Sequence, residues 1–550
     1  MNMAKVAFIS IMWHSRFVEE LGVEYLTAIL RQETNHDVKS FIKFPEENYD
    51  DFFQKVIRFE PDIIGISLSH KYTGLEPLYA GASLLKEKLP SSYLCLGGVF
   101  ASTNAMNIMN KIKEVDCIFL GEAENIISEF INRVINHQDI SNLNGIAYRC
   151  SDGIIKILHK TQFIMDLDTI PFPARDYMEE DWFKNAPFKM VNIMGSRGCH
   201  GHCHFCNVPS MYAVYGTDLK WRGRSIVNIL NEMEYLYREH GVLIFSFNDS
   251  SFEDCIPLAD GKKRLAMFSQ EIINRNLRIL WTCCFRAETF KNTKEDTALV
   301  DLMVKSGLYN LLIGVEAGNK RALNTFSKRA TVADNYEAIK IFEKYPVYIS
   351  KGFIMFTPQA TPAVLRDNLE FAHEIGLDQE LIYLTTKAAV FDETPYVNDL
   401  QNEGYLDLKY DWENEYPYKW KDDNIRQFAE ALQFIRDVYM DKLEYTQYYG
   451  RNAIIWYRFA EGRYSNELEY NQYHVNRLRE KMGTYNYAFI SNCIDLCERG
   501  WNVHEYRIIK SKYFDHGFLK VYDEMVLQSK KISRLLREHG ITMNDIANPG

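Results

Sequence analysis

Short apolar runs alternate with amphipathic stretches from the start of the chain. Residues 5–11, 62–67, 93–96 and 116–120 read as buried strands, and 23–31 and 75–88 as helices between them. This beat over residues 1–149 predicts a doubly wound, Rossmann-like α/β domain, which takes its ligands beyond the carboxyl ends of its parallel strands. No G-x-G-x-x-G follows any of these runs, so a dinucleotide is not the first expectation. Residues 150–190 carry Pro171-Phe172-Pro173-Ala174-Arg175-Asp176, whose prolines disfavour helix and suit an extended linker. From 191 to 400 the beat resumes on a larger scale, with strands predicted at 191–196, 243–248, 279–284, 311–316, 351–356 and 382–388. Six such β/α units predict an open, partial (β/α)6 barrel with its site at the carboxyl ends of the strands. Residues 401–550 read as a mostly helical domain, with Ile425, Phe428, Leu432, Ile435 and Tyr439 at helical spacing.

Composition narrows the function classes. With 550 residues, 47% hydrophobic and 25% charged, the chain is ordinary globular material, long enough for roughly three to four domains. A net charge of −11 argues against a surface that tracks nucleic-acid phosphates. No apolar run approaches the ~18 residues of a membrane span. The N-terminal run lacks a signal-peptide cleavage site, so a cytoplasmic chain without a membrane partner is expected. Half of the 34 tyrosines lie in 401–550, where they form either a helical core or the lining of a pocket for an aromatic, sugar or peptide substrate.

The eleven cysteines are scattered, as in a reducing compartment, except in Cys199-His200-Gly201-His202-Cys203-His204-Phe205-Cys206. Three thiolates on one short loop can hold three irons of a [4Fe–4S] cluster and leave the fourth open to an external ligand. The alternative is a structural zinc site that recruits the intervening histidines. Such a site wants four ligands in a closed tetrahedron, as two separated pairs, and the sequence offers no second pair. The histidines then shape the loop.

The triplet, its place after a first strand and the six β/α units resemble the radical S-adenosylmethionine (SAM) enzymes. Phe247-Asn248-Asp249-Ser250-Ser251-Phe252 is similar to the acidic turn after their second strand. Arg286 follows the third strand, and Gly314-Val315-Glu316-Ala317-Gly318 resembles the G-x-E-S-G segment of the fourth. Phe391-Asp392-Glu393-Thr394-Pro395-Tyr396 resembles the P-x-P-G-T-x-Y stretch after the sixth. Gly352-Phe353-Ile354-Met355-Phe356-Thr357-Pro358 departs, with Phe356 and Ala360 where a glycine and a glutamate are common. The resemblance implies that Cys199, Cys203 and Cys206 ligate the cluster and act in catalysis. It also implies that Phe205, Asp249, Arg286 and Glu316 contact SAM, whose cleavage yields a 5′-deoxyadenosyl radical. An electron donor such as flavodoxin or ferredoxin is implied with it.

The first domain resembles a cobalamin-binding domain. Ser67-Leu68-Ser69 precedes Gly97-Gly98 by the interval that separates S-x-L from G-G in the cobalamin pattern, with Ser69 in place of the leucine. The D-x-H-x-x-G element should fall near 19–25, where the chain reads Glu19-Glu20-Leu21-Gly22-Val23-Glu24-Tyr25 and has no histidine. The nucleotide tail is expected beside Ser67, Ser69, Gly97 and Gly98, bordered by Gly121 and Glu122, with His70 near the corrin. Cobalamin-dependent radical SAM enzymes show this order of first domain, Pro-Phe-Pro-Ala-Arg-Asp-like linker and barrel. The resemblance implies a methyltransferase acting on an unactivated carbon of a small molecule or peptide. A rearrangement, ring contraction or cyclisation without net methyl transfer is the alternative. A non-catalytic cobalamin or redox sensor is the third reading, disfavoured because sensing needs no barrel.

Overall fold

The computed structural model describes residues 3–12, 19–69, 75–186, 188–214, 217, 219–391, 394–407, 412–413, 416–460 and 465–538. They fold as two compact units. One holds residues 1–199 and 207–249, and the other holds 200–206 and 250–549.

The first unit is built on a seven-stranded sheet of β1 (Lys5–Ile11), β2 (Asp37–Lys43), β3 (Ile63–Ser67), β4 (Tyr93–Gly97), β5 (Cys117–Phe119), β6 (Ile146–Arg149) and β7 (Ile155–Leu158). The order is β2-β1-β3-β4-β5-β6-β7. The first five strands are parallel, and β6 and β7 return antiparallel. Strand β1 is buried on both faces, which explains why its sequence is apolar from Val6 to Ile11 except at Ser10. Strand β2 buries Val38, Ser40, Phe41 and Lys43 and exposes Asp37 and Lys39, a half-polar pattern that its composition hides. Beyond the linker come β8 (Lys189–Ile193), a short ribbon of β9 (Ser196–Gly198) and β10 (Trp221–Gly223), and β11 (Val242–Phe247), which pairs in parallel with β8.

The stretch 171–174 has no regular structure, short 3-10 turns at Leu167–Thr169 and Asp176–Glu179 flank it, and Arg175 at φ +51° makes the linker a buried staple. The Arg175 guanidinium donates to Glu19 Oε1 at 2.9 Å, Glu232 Oε1 at 2.8 Å and the carbonyl of Asn192 at 2.7 Å. Its backbone N–H donates to Glu24 Oε2 at 2.9 Å. Arg224 closes the network on Glu232 Oε2 at 2.6 Å, and Asp176 takes a two-pronged bond from Arg31. Burial raises Glu19 and Glu24 from the ordinary 4.5 to about 7, although Arg175 pulls both down. Between about 4.5 and 7 the folded chain therefore binds more protons at these two positions than the unfolded chain does. Their contribution to stability is lost as pH rises through that window. Thermal melts across it are expected to slope less for Glu24→Gln than for the wild type; equal slopes would rule out the Glu24 contribution.

The second unit carries β12 (Leu280–Arg286), β13 (Leu308–Glu316) and β14 (Tyr348–Phe353), parallel in that order. The sixth expected strand, 382–388, is not one. Leu381–Leu384 is a helical turn, and only an isolated parallel bridge joins Phe356 to Lys387. Thr385 and Thr386 explain the difference, because their hydroxyls donate to the carbonyls of Ile382 and Tyr383 and close the turn. From Asp423 the chain is helical: Asp423–Ala460, kinked at Tyr439, then Ser465–Arg499, Val503–Lys510 and a continuation to Glu538. These helices belong to the same compact unit as β12–β14. Arg479 pairs with the buried Glu380 at 2.9 Å, and Asn486 donates to the carbonyl of Asp378. Tyr445 stacks on Tyr449 and meets the edge of Tyr522, while Tyr439 packs on Phe514, so these tyrosines serve the helical core.

Candidate active site

The 2-1-3-4-5 order of the parallel strands places a topological switch between β1 and β3, where the crevice beyond the strand ends receives ligands. The predicted residues meet at this corner. Ser67 ends β3 in register with Ser10 of β1 and Gly97 of β4. Leu68 N–H donates to the Gly97 carbonyl at 2.8 Å, and Gly98 follows with φ +92°. A Cβ at Gly98 would stand 2.5 Å from the Leu68 carbonyl oxygen, so a side chain there strikes the backbone of the neighbouring loop before it meets any ligand. At Gly97 the nearest atom to such a Cβ is 4.0 Å away, which leaves the strand end open. Ser69 lies beside Ser67, and both bond the carboxyl group of Glu20. His70 lies outside the described residues.

Gly121 and Glu122 are both tied into the fold. Gly121 N–H donates to Ser102 Oγ. Glu122 accepts from Arg222 Nη1 at 3.1 Å and Tyr212 at 3.0 Å, and it pairs with Arg197 at 3.2 Å. Burial acts to raise its carboxyl, but Arg197 and Arg222 outweigh that and hold it below the ordinary range. Arg197 also meets Glu124 at 2.5 Å. These acids thus fasten the β9–β10 ribbon, whose last residue in β9 precedes Cys199.

In the other unit, residues 200–206 of the cysteine loop are held by groups other than thiols. Asp254 accepts the backbone N–H of His200, and His200 Nδ1 lies 2.7 Å from the Asp254 carbonyl. Asp254 also pairs with Arg286 at 2.8 Å, so one carboxylate ties the loop to the end of β12. His204 donates its N–H to the Phe326 carbonyl, receives that of Tyr396 on its own carbonyl, and places Nδ1 2.6 Å from Asp399 Oδ2. Phe205 packs edge-on to Phe326, 5.1 Å between centroids, in an apolar cluster with Tyr396 and Leu400. Its ring anchors the loop. His200 and His204 thus each commit Nδ1 to the fold.

Asp249 is buried, with one oxygen on the Gly195 N–H at 2.8 Å and the other on Ser196 Oγ at 2.6 Å. It holds the approach to the triplet. Glu316 ends β13 with φ +59°, a conformation costly for a residue other than glycine and concentrated at functional sites. Its carboxylate folds back over Gly314 and Gly352 and pairs with Lys328 at 3.1 Å. Burial pushes the Cys203 thiol up, with Lys328 pulling the other way. Sequence reasoning missed Asp254, Lys328 and Arg175. Asp254 lies two residues past the acidic turn quoted above, and Lys328 lies in a segment with no recognisable pattern.

None of the eleven cysteines is in a disulfide. Among the described residues no three His, Cys, Asp or Glu side chains converge on a single metal ion. Three thiol donors on one loop suit iron–sulfur chemistry, so the donor set of the triplet fits a cluster. The first unit's corner fits a ligand tail in its turn, with space at Gly97 and a buried oxygen of Glu20 that has no hydrogen-bond partner.

Comparisons with known proteins match both regions of the chain. The B12 binding domain profile matches residues 16–131 and the Radical SAM superfamily profile residues 193–372, together more than half of the chain. The uncharacterized methyltransferase PH0819 of Pyrococcus horikoshii is 26% identical over 369 residues, covering 66% of this chain and 75% of the relative. The anaerobic magnesium-protoporphyrin IX monomethyl ester cyclase of Synechocystis sp. is 26% identical over 319 residues, and the match spans 57% of this chain and 60% of that enzyme. The solved cobalamin-dependent SAM radical enzyme OxsB, with aqua-cobalamin and SAM bound, shares the fold. Its TM-score is 0.71 at 17% identity, over 99% of this chain and 83% of that one. A B12 binding domain followed by a radical SAM core makes this chain a member of the cobalamin-dependent branch of the radical SAM enzymes.

Proposed function

We propose that the chain is a methyltransferase that acts on an unactivated carbon of a small molecule or peptide. The observation that carries this reading is the presence, in one chain, of a loop with three thiols and a strand-end corner suited to the cobalamin tail. When bound, the cluster supplies the electron that cleaves SAM, and cobalamin carries the methyl group. Cys199, Cys203 and Cys206 hold three irons. Ser67, Ser69, Gly97 and Gly98 receive the nucleotide tail. Arg286, held by Asp254, and Glu316, held by Lys328, offer charge of both signs to the zwitterionic methionine end of SAM. Asp249, Glu122 and Phe205 act through the loop and ribbon they position. A flavodoxin or ferredoxin delivers the electron, in the cytoplasm. Among the described residues no helix is long and apolar enough to cross a membrane.

The likeness to a cyclase favours a second reading, a radical rearrangement or ring closure without net methyl transfer. Anaerobic turnover with SAM labelled in its methyl group separates the two. Methyl transfer requires S-adenosylhomocysteine and 5′-deoxyadenosine together, and label in the product. 5′-Deoxyadenosine alone would move the assignment to the second reading, and neither product, in the presence of substrate and reductant, would overturn both.

A further inference from the structure

Glu20 occupies the N-cap position of helix Leu21–Glu33, where a polar side chain ordinarily bonds the first free N–H groups, yet it makes no capping bond. Its side chain turns to the carboxyl end of β3 and bonds Ser67 and Ser69. Its neighbour Glu19 is committed to Arg175, so the segment is pinned at one residue and offers the other to the crevice. Glu20 Oε2 is buried without a hydrogen-bond partner, and so is the hydroxyl of Ser10, which faces Ser67 across the β1–β3 ladder. Two orphaned polar atoms at one topological switch point mark a place where a polar ligand completes the bonding, since each otherwise carries a desolvation penalty.

Resting on the assignment of residues 16–131 as a B12 binding domain, we propose that Glu20 is the residue that recognises the nucleotide tail of cobalamin, its carboxyl group taking the ring nitrogen freed when the base leaves cobalt. That nitrogen carries a lone pair and needs a donor once it enters a dry pocket. Burial pushes the Glu20 carboxyl above its ordinary range, the two serine hydroxyls opposing, and one proton, on the carboxyl or on the ring nitrogen, makes the bond between them.

The test compares two corrinoids on the full-length protein, hydroxocobalamin and cobinamide, which lacks the nucleotide tail, by equilibrium binding. Glu20→Leu and Glu20→Ala are expected to weaken cobalamin by about tenfold or more, the effect of losing one buried hydrogen bond, while cobinamide stays within about twofold of the wild type. The ratio of the two affinities is the readout, so general damage to the fold cancels. An unchanged ratio in both variants, with cobalamin either bound as by the wild type or lost together with cobinamide, overturns the role of Glu20. Wild-type protein that binds neither corrinoid overturns the B12 assignment and the proposal with it.

Discussion

Alanine at any one of Cys199, Cys203 or Cys206 is expected to abolish 5′-deoxyadenosine formation and to leave reconstituted protein with well under the four irons and four sulfides of a cluster. Removing one thiolate leaves an iron without its sulfur ligand, and the loop from Cys199 to Cys206 holds no fourth cysteine to replace it. Iron and sulfide analysis with electron spin resonance after anaerobic reconstitution checks the cluster, and chromatography of the SAM products checks turnover. An alanine variant that retains full cluster content and cleaves SAM at the wild-type rate would remove that cysteine from the ligand set. Zinc in place of iron and sulfide in anaerobically isolated wild-type protein would remove the cluster itself.

Arg175→Met is expected to be the most damaging single change in the first unit. Its guanidinium lies among two carboxylates and a carbonyl at 2.7–2.9 Å and is almost wholly buried. Taking the cation away leaves Glu19 buried without its counter-charge, a loss of about 3–5 kcal/mol for a broken buried pair. Arg175→Lys should recover only part, because one ammonium cannot serve three acceptors laid out for a planar fork. Guanidinium denaturation of the full chain measures both. A cost for Arg175→Met within about 1 kcal/mol of zero, the range of an exposed pair, would mean that the linker is not the staple described here.

Much of this architecture is legible in the residues. The apolar runs at 5–11, 62–67 and 93–96 become β1, β3 and β4 to within a residue, because strands buried on both faces can hardly be written otherwise. The corner at Ser67, Gly97 and Gly98 is legible by spacing, and the cysteine loop by its three thiols. Strand β2, the β9–β10 ribbon and the loss of the sixth strand are not. A half-polar strand, a three-residue ribbon and a turn closed by two threonine hydroxyls leave almost no periodic trace. Buried charge is the hardest to read. Arg175, Glu19 and Glu232 are far apart in sequence, and each alone looks like a solvated residue until the fold brings them together. Glu122 shows the same limit, since nothing in its place after a strand foretells its bonds to Arg197 and Arg222.

Residues 200–206 of the cysteine loop are fixed by Asp254, Phe326, Tyr396 and Asp399, none of which is a thiol. Where a metal-binding loop is shapeless without its metal, much of the binding energy goes into ordering the chain. Here bonds to residues 200–206 supply part of that ordering, so less of the binding energy is expected to go into arranging the loop and more into gripping iron. Depletion acquires a different meaning as well. A cell that runs short of iron or sulfide, or loses the cluster to oxygen, keeps a polypeptide that can be recharged by its assembly machinery, where a metal-dependent fold would be cleared by proteases and made anew.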